Sequence, residues 1–190
     1  MKILQFGEGN FLRAFVDYMI DAANEAGVLD AQVVIAKAIR AGSLDALRAQ
    51  GCSYTLLTRG RQNGQTIEST RTIRSVSDAI CCYEDFDALM DLARDPELAL
   101  VVSNTTEAGI AVSDEDRADD RPPVSYPAKL TRLLFERYTH FAGDRSKGLY
   151  LLPCELIKDN ARELERCVAL TAQRWSLPAD FTARYMNVTL

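Results

Sequence analysis

The sequence predicts an α/β fold, a doubly wound and mostly parallel sheet interrupted by one antiparallel hairpin insertion. Three observations carry that prediction. Apolar runs of strand length recur at Ile3 to Phe6, Ala31 to Ile39, Leu98 to Val102 and Gly148 to Pro153, and near-continuous apolar runs are what strands covered on both faces look like. Segments with helical periodicity lie between these runs. Only Ser53 to Val76 breaks the rhythm, with β-prone runs on either side of Asn63-Gly64, a strong hairpin signal.

The first strand feeds the most informative stretch, Ile3-Leu4-Gln5-Phe6-Gly7-Glu8-Gly9-Asn10-Phe11-Leu12-Arg13-Ala14. Its apolar run breaks at two glycines and passes at once into Phe11, Phe15, Tyr18, Met19 and Ala22, which recur at helical spacing. Such a strand, turn and helix leaves backbone N–H groups at a helix N-terminus, where the macrodipole also favours an anion such as a pyrophosphate. Gly7 would make the tight turn and Gly9 would let backbone approach the ligand. Leu12 stands where the dinucleotide fingerprint has its third glycine. These residues alone leave a dinucleotide site and an ordinary strand-to-helix connection both open.

Gly27 stops the first helix, and the second strand, Ala31 to Ile39, follows. In a dinucleotide fold it should end near an acid that holds the ribose 2′-hydroxyl. Here it ends in Lys37, Ala38, Ile39 and Arg40, so NAD and NADP both stay open: Lys37 and Arg40 either tolerate a 2′-phosphate or point into solvent. Ser43 caps a short helix closing at Gly51, the hairpin occupies about 53–76, and Arg71 to Val76 reads as its extension. The hairpin is expected at a sheet edge or on a flap. Glu84 to Ala93 is an amphipathic helix with acids in its first turn, stopped by Asp95-Pro96.

After the strand Leu98 to Val102 comes Ser103-Asn104-Thr105-Thr106-Glu107-Ala108-Gly109. Ligands of open α/β sheets sit outside the strand carboxyl ends, so these small polar groups either meet a ligand or cap turns. The acidic, proline-containing segment at about 113–127 reads as an exposed, solvated loop. A helix is predicted from Ala128 to Phe141, then the strand ending at Pro153, then Cys154 to Asn160 and a long helix through Trp175. The last residues carry no terminal cap, so the natural chain is expected to continue past Leu190.

Composition narrows the function classes. The 190 residues are 47% hydrophobic with a formal net charge of -5; no basic footprint speaks for nucleic acid. No run approaches the roughly 18 apolar residues of a membrane span, and no signal peptide is visible, so the expected compartment is the cytoplasm, with no membrane partner. Five cysteines without a C-x-x-C pair, Cys81 and Cys82 adjacent among them, read as reduced, packed thiols. With His140 the single histidine, no metal site is expected.

Three motifs in order, Phe6 to Phe15, Ser103 to Gly109, and Leu152-Pro153-Cys154-Glu155-Leu156-Ile157 with Asn160, together resemble the mannitol dehydrogenase family of polyol-specific long-chain dehydrogenases, over essentially the whole chain. The resemblance implies a Rossmann-type dinucleotide-binding domain spanning residues 1–190 of a metal-free NAD-dependent oxidoreductase acting on a small sugar acid. It further implies a mainly helical C-terminal domain, absent from this chain, bearing a catalytic lysine in a Lys-x-x-x-x-Asn-x-x-His motif. Carried over residue by residue, the nucleotide-binding segment falls on Ile3 to Ala14, with Asn104 and Thr105 also at the cofactor, and the Thr-Glu-Gly loop falls on Thr106 to Gly109. Cys154 and Glu155 match the first two residues of the family's Cys-Asp-Asn loop, but Leu156 replaces the asparagine that polarises the substrate oxygen. Glu107, in a loop dense with small polar residues, is the candidate catalytic acid; Glu155 is expected to turn inward as a helix-start acid.

Overall fold

The computed structural model describes residues 1–106 and 109–185. Five strands form one parallel sheet: β1 (Lys2–Phe6), β2 (Gln32–Lys37), β5 (Val76–Cys81), β6 (Leu98–Ser103) and β7 (Tyr150–Pro153). Their order is β5-β2-β1-β6-β7, so the chain builds outward from β1 on one side and then crosses to the other. The reversal falls between β1 and β6, where Phe6 lies level with Ala36 of β2 and Ser103 of β6. This is the doubly wound arrangement, whose ligands sit in the crevice at the point of reversal.

Both faces of β1, β2 and β6 are covered, which is why those strands read as continuous apolar runs, whereas β7 at the edge leaves Tyr150 and Leu152 exposed. Leu4, Phe6, Val34 and Val101 pack beneath α3 (Phe86–Arg94), α4 (Tyr126–His140), α5 (Asn160–Arg174) and Phe181 of α6 (Ala179–Tyr185). Ile3, Val33, Ile35 and Val102 face the other way, against Leu12 and Val16 of α1 (Asn10–Glu25) and Leu44 and Leu47 beside α2 (Asp45–Ala49). Two helix starts are sealed by short polar side chains: Asp85 accepts from the Ala88 amide and Ser125 from the Ala128 amide. The buried Arg137 guanidinium donates to the carbonyls of Ala93, Asp95, Leu98 and Lys147, tying α3, β6 and the turn before β7 together.

The structure departs from the sequence reading at several places. Arg71 to Val76 does not extend the hairpin: β4 (Gln65–Ile73) ends inside it, and Val76 opens β5, a sheet strand hidden by its polar Ser77 and Asp78. The hairpin of β3 (Tyr54–Gln62) and β4 is a separate two-stranded sheet rather than an edge. It is strapped to α1, where the Tyr54 hydroxyl donates to the Arg13 carbonyl and Asp17, and Arg71 pairs with Asp21 and Glu25. On α1 the aromatic repeat is the exposed face, with Phe11 at 53% and Phe15 at 42%, while Leu12, Val16 and Asp17 are buried. Helical spacing identified the helix and said nothing of which face the hairpin and sheet would cover.

The acidic segment is likewise more than a solvated loop. Asp116 is buried, accepting from the amides of Val124 and Ser125 at 2.6 and 3.0 Å and from the Ser125 hydroxyl, so it anchors the entry to α4, which begins at Tyr126 with Pro127 in its first turn. Ser43 accepts from the Asp45 amide at the start of α2, whose N-cap residue is Leu44.

Candidate functional site

The turn after β1 is pinned from both sides. The Gly7 amide donates to the Ala36 carbonyl of β2 at 3.1 Å, the Asn104 amide donates to the Phe6 carbonyl at 3.2 Å, and the Gln5 side-chain amide donates to the Gly7 carbonyl. Gly7 has φ +127°, a conformation L side chains rarely adopt, and a Cβ there would stand 3.2 Å from the Asn104 carbonyl oxygen. The two glycines do different work. Gly9 has an ordinary φ of -69°, forms the N-cap of α1 without a side-chain cap, and a Cβ on it would meet none of the described residues within 4 Å. The first amides of a helix have no intrahelical acceptor, so at Gly9 the start of α1 opens into space.

That space is a cleft of about 580 Å³ at the carboxyl ends of β1, β2 and β6, within the roughly 300–1,000 Å³ of small-ligand sites. Phe6, Gly7, Glu8 and Gly9 form its floor, Asn104 and Thr105 one side and Ala38 and Ile39 another. The far wall comes from the Ser125–Tyr126 entry to α4, where the Tyr126 ring packs edge-on against Phe6 at 5.1 Å between centroids. Burial drives the Tyr126 phenol above its ordinary range, and the neighbouring Glu155 adds to the effect. It is a neutral wall.

The loops after β6 and β7 are stitched together behind the cleft. The Asn104 side chain donates to the Cys154 carbonyl at 2.7 Å, and the Cys154 amide donates to the Ser103 carbonyl. Glu155 turns inward, as expected, and its Oε1 accepts from both the amide and the hydroxyl of Thr105, at 3.0 and 3.1 Å. Its Oε2 is buried and has no hydrogen-bond partner among the described residues. It is not a helix-start acid: α5 begins at Asn160, whose amide side chain holds the carbonyls of Pro153 and Glu155. Glu107 lies outside the described residues. Leu156, standing where the family has its asparagine, is 86% exposed.

Of the segment Ile3 to Ala14, then, Phe6 to Gly9 line the cleft. Ile3, Leu4 and Gln5 are buried in and beneath β1, and Leu12 fills the third-glycine position as a packed core residue whose Cδ1 sits against Gly7. Asn10, Arg13, Phe11 and Ala14 run up α1, where Asn10 accepts from Arg13 at 2.6 Å. Beneath the turn, burial pushes the Asp17 carboxyl up to about 6, opposed by the Tyr54 hydroxyl and the Arg13 charge. Sequence reasoning missed Ser125 and Tyr126, though the Ser125-Tyr126-Pro127 helix-start signature was visible in the chain.

At the end of β2, Lys37 neither reaches solvent nor reaches for a phosphate. It is buried, and its ammonium donates to the carbonyls of Ile39 and Arg40 at 2.7 and 3.2 Å, rigidifying the turn it precedes. Arg40 is exposed and stacks 4.1 Å over the Tyr83 ring, whose hydroxyl receives a hydrogen bond from the buried Lys129. Burial lowers the Lys129 amine to about 8. The five cysteines are unpaired, and burial pushes the Cys82 thiol up to about 12. Among the described residues no cluster of three His, Cys, Asp or Glu could hold a metal, and no helix is long and apolar enough to cross a membrane.

A parallel sheet reversing at β1, a glycine turn opening a helix N-terminus onto that reversal and a cleft above it define a Rossmann-type nucleotide-binding domain. The chain belongs to the mannitol dehydrogenase family, matching its Rossmann domain over residues 1–184. It is 51% identical over 181 residues to the altronate oxidoreductase of Klebsiella pneumoniae, covering 95% of this chain and 38% of the relative. The altronate oxidoreductase of Yersinia enterocolitica is 50% identical over 182 residues with the same coverage. The chain thus spans 38% of the length of these relatives. Among solved structures, Pseudomonas fluorescens mannitol 2-dehydrogenase in ternary complex with NAD and D-mannitol superposes with a TM-score of 0.78 at 22% identity, over 96% of this chain and 39% of that one. A substrate-free D-sorbitol dehydrogenase gives the same TM-score at 20% identity, covering 98% and 40%. These two likenesses carry the fold.

Proposed function

We propose that this chain is the nucleotide-binding part of an NAD-dependent oxidoreductase that reduces D-tagaturonate to D-altronate. The observation that carries the reading is the Gly7-to-Gly9 turn, open above Gly9 and level with Asn104 at the sheet's point of reversal. It is supported by the identity to altronate oxidoreductases. The residues fit the cofactor: the backbone at Gly9 and the first turn of α1 would hold a pyrophosphate, and Asn104 and Thr105 would flank the nicotinamide half. When bound, the nicotinamide supplies hydride chemistry. The chain's own part is placement. Glu155 holds the Thr105 backbone rigid, and the neutral Tyr126 wall keeps water from one side of the cleft.

We further propose that a helical domain outside these residues brings the catalytic lysine, that Glu107 rather than Glu155 is the proton-handling acid, and that the working compartment is the cytoplasm. The 190 residues should therefore quench and bind NADH without consuming it when D-tagaturonate is added. Turnover by these residues alone would refute the second-domain proposal, and absence of NADH binding would refute the dinucleotide reading. In the complete protein, Glu107→Gln should lose turnover at saturating NADH and Glu155→Gln retain most of it; the reverse would exchange their roles. A kcat/KM for fructose above that for D-tagaturonate would overturn the substrate assignment.

A further inference from the structure

We propose that Gln5 and Asp17 are positioning residues for the first turn: Asp17, held by the hairpin, fixes the Gln5 amide, and Gln5 aims the Glu8 N–H at an anion in the cleft. The inference rests on the dinucleotide reading above and goes beyond it. Strand residues alternate in direction, so Gln5 shares with Ile3 the face of β1 that packs toward α1. It is fully buried there, and a polar side chain inside an apolar face is costly unless it is hydrogen-bonded. Its side-chain amide donates to the Gly7 carbonyl at 3.1 Å. The Gly7–Glu8 peptide is trans, so its N–H points opposite its carbonyl. A carbonyl held down by Gln5 thus sends the Glu8 N–H away from the core, and Glu8 lines the cleft.

Behind Gln5 the polar contacts lead to the hairpin. Asp17 of α1 is fully buried, and its Oδ2 accepts from the Tyr54 hydroxyl at 2.9 Å. Its Oδ1 has no hydrogen-bond partner among the described residues. Burial raises this carboxyl to about 6, while the Tyr54 hydroxyl, the Gln5 amide and the Arg13 charge oppose the rise, so Gln5 stands against the carboxylate. A primary amide has two N–H donors. With one on Gly7, the second is the donor for Oδ1, and an ionised Asp17 locks the amide in the orientation that holds the turn. A protonated Asp17 reverses that preference, because its O–H needs an acceptor and Gln5 Oε1 is buried without a partner among the described residues. Turning Oε1 toward the acid takes the amide nitrogen off Gly7. The neighbouring groups do not compete for this role. Asp21 pairs with Arg71 of the hairpin, Arg13 donates to Asn10, and burial drives the Tyr54 phenol above its ordinary range, so it stays a donor.

The test follows two quantities in this chain from pH 5 to 8: the NADH Kd by fluorescence titration, and the Glu8 backbone amide shift in the nucleotide-free state. The parent is compared with Asp17→Asn and Gln5→Met after circular dichroism confirms that each variant is folded. In the parent the NADH Kd should fall about fivefold as pH rises through 6, the worth of one hydrogen bond, and the Glu8 amide should move with the same midpoint. Asp17→Asn should make both independent of pH. Gln5→Met should bind NADH about fivefold more weakly than the parent at pH 8, with no pH dependence. An Asp17 that acted through stability alone would give the opposite sign, because its contribution to stability is lost as pH rises through 6. A parent whose NADH Kd stays constant or rises with pH would overturn the positioning role while leaving the dinucleotide reading standing, and that measurement needs no variant. So would an Asp17→Asn protein that keeps the parent's pH dependence, or a folded Gln5→Met protein with the parent's affinity. Absence of NADH binding at every pH would overturn both.

Discussion

Replacing each glycine of the first turn by alanine separates the fold from the site. At Gly7 the backbone sits at φ +127° and an added Cβ would stand 3.2 Å from the Asn104 carbonyl oxygen. Holding a non-glycine residue in so sparsely populated a region costs about 1–3 kcal/mol, and the contact adds to it by pressing on the loop after β6. Gly7→Ala should therefore lower Tm by several degrees, at the roughly 2–4 °C per kcal/mol of a domain this size. At Gly9 the φ is -69° and a Cβ meets none of the described residues within 4 Å, so Gly9→Ala should cost about 1 kcal/mol or less, the difference between glycine and alanine as helix N-caps. That methyl nevertheless projects where backbone is to approach an anion. Loss of one charge-assisted N–H contact, about 1.5–3 kcal/mol, weakens binding by about tenfold to a hundredfold. Thermal melts read the first effect and NADH titration the second, with Gly9→Val as the larger perturbation. A Gly9→Ala protein that melts below Gly7→Ala would show that Gly7 is not the strained position, and a folded Gly9→Val protein with unchanged NADH affinity would place the anion elsewhere.

Other outcomes follow from the same geometry. Asp17 keeps in the folded state a proton that the unfolded chain releases, because burial raises its carboxyl from 3.8 to about 6; its contribution is fully favourable below pH ~4 and is lost as pH rises through 6, by up to about 3 kcal/mol. Asp17→Asn should flatten the fall in stability across that window, and urea melts at pH 4 and 8 that show the same slope as the parent would contradict this. Glu155→Ala strips the Thr105 amide of its acceptor, so Thr105 should exchange its amide hydrogen faster and NADH affinity should fall, with Glu155→Gln recovering part of both; unaltered exchange would remove Glu155 from its positioning role. Phe15→Ser should change stability by less than ~0.5 kcal/mol because Phe15 lies on the exposed face of α1, and a larger loss would mean that the face is covered.

What was legible in the sequence was what local chemistry decides. The runs of β1, β2, β6 and β7 needed no partner to be recognised, because each is apolar on both faces, and Asn63-Gly64 announced its hairpin by turn type alone. β5 was hidden because Ser77 and Asp78 break its apolar run, even though Ala79, Ile80 and Cys81 are buried beside β2. The buried face of α1 was hidden for a different reason: the hairpin covers it with polar partners, so Asp17 is buried and Arg13 half-buried while Phe11 and Phe15 are exposed. Gly7 and Gly9 placed the site, but only backbone angles and neighbours showed that one serves the turn and the other the ligand. Tyr126 and the anchoring Asp116 depend on a distant helix returning to the sheet's edge, and no local pattern encodes that return. Lys37 illustrates the same limit, a cation whose type suited a phosphate and whose fold turned it onto its own turn's carbonyls.

Whether the cleft above Gly7 and Gly9 holds a nicotinamide dinucleotide is decided by titrating isotopically labelled chain with NADH and following backbone amide chemical shifts. The dinucleotide should produce saturable shifts concentrated at Gly7 to Leu12, Ala38 to Arg40 and Asn104 to Thr106, with the hairpin tip around Asn63 and Gly64 unmoved. Shifts centred on the hairpin or on the exposed face of α1, with the Gly7 to Leu12 amides unchanged at saturation, would contradict it.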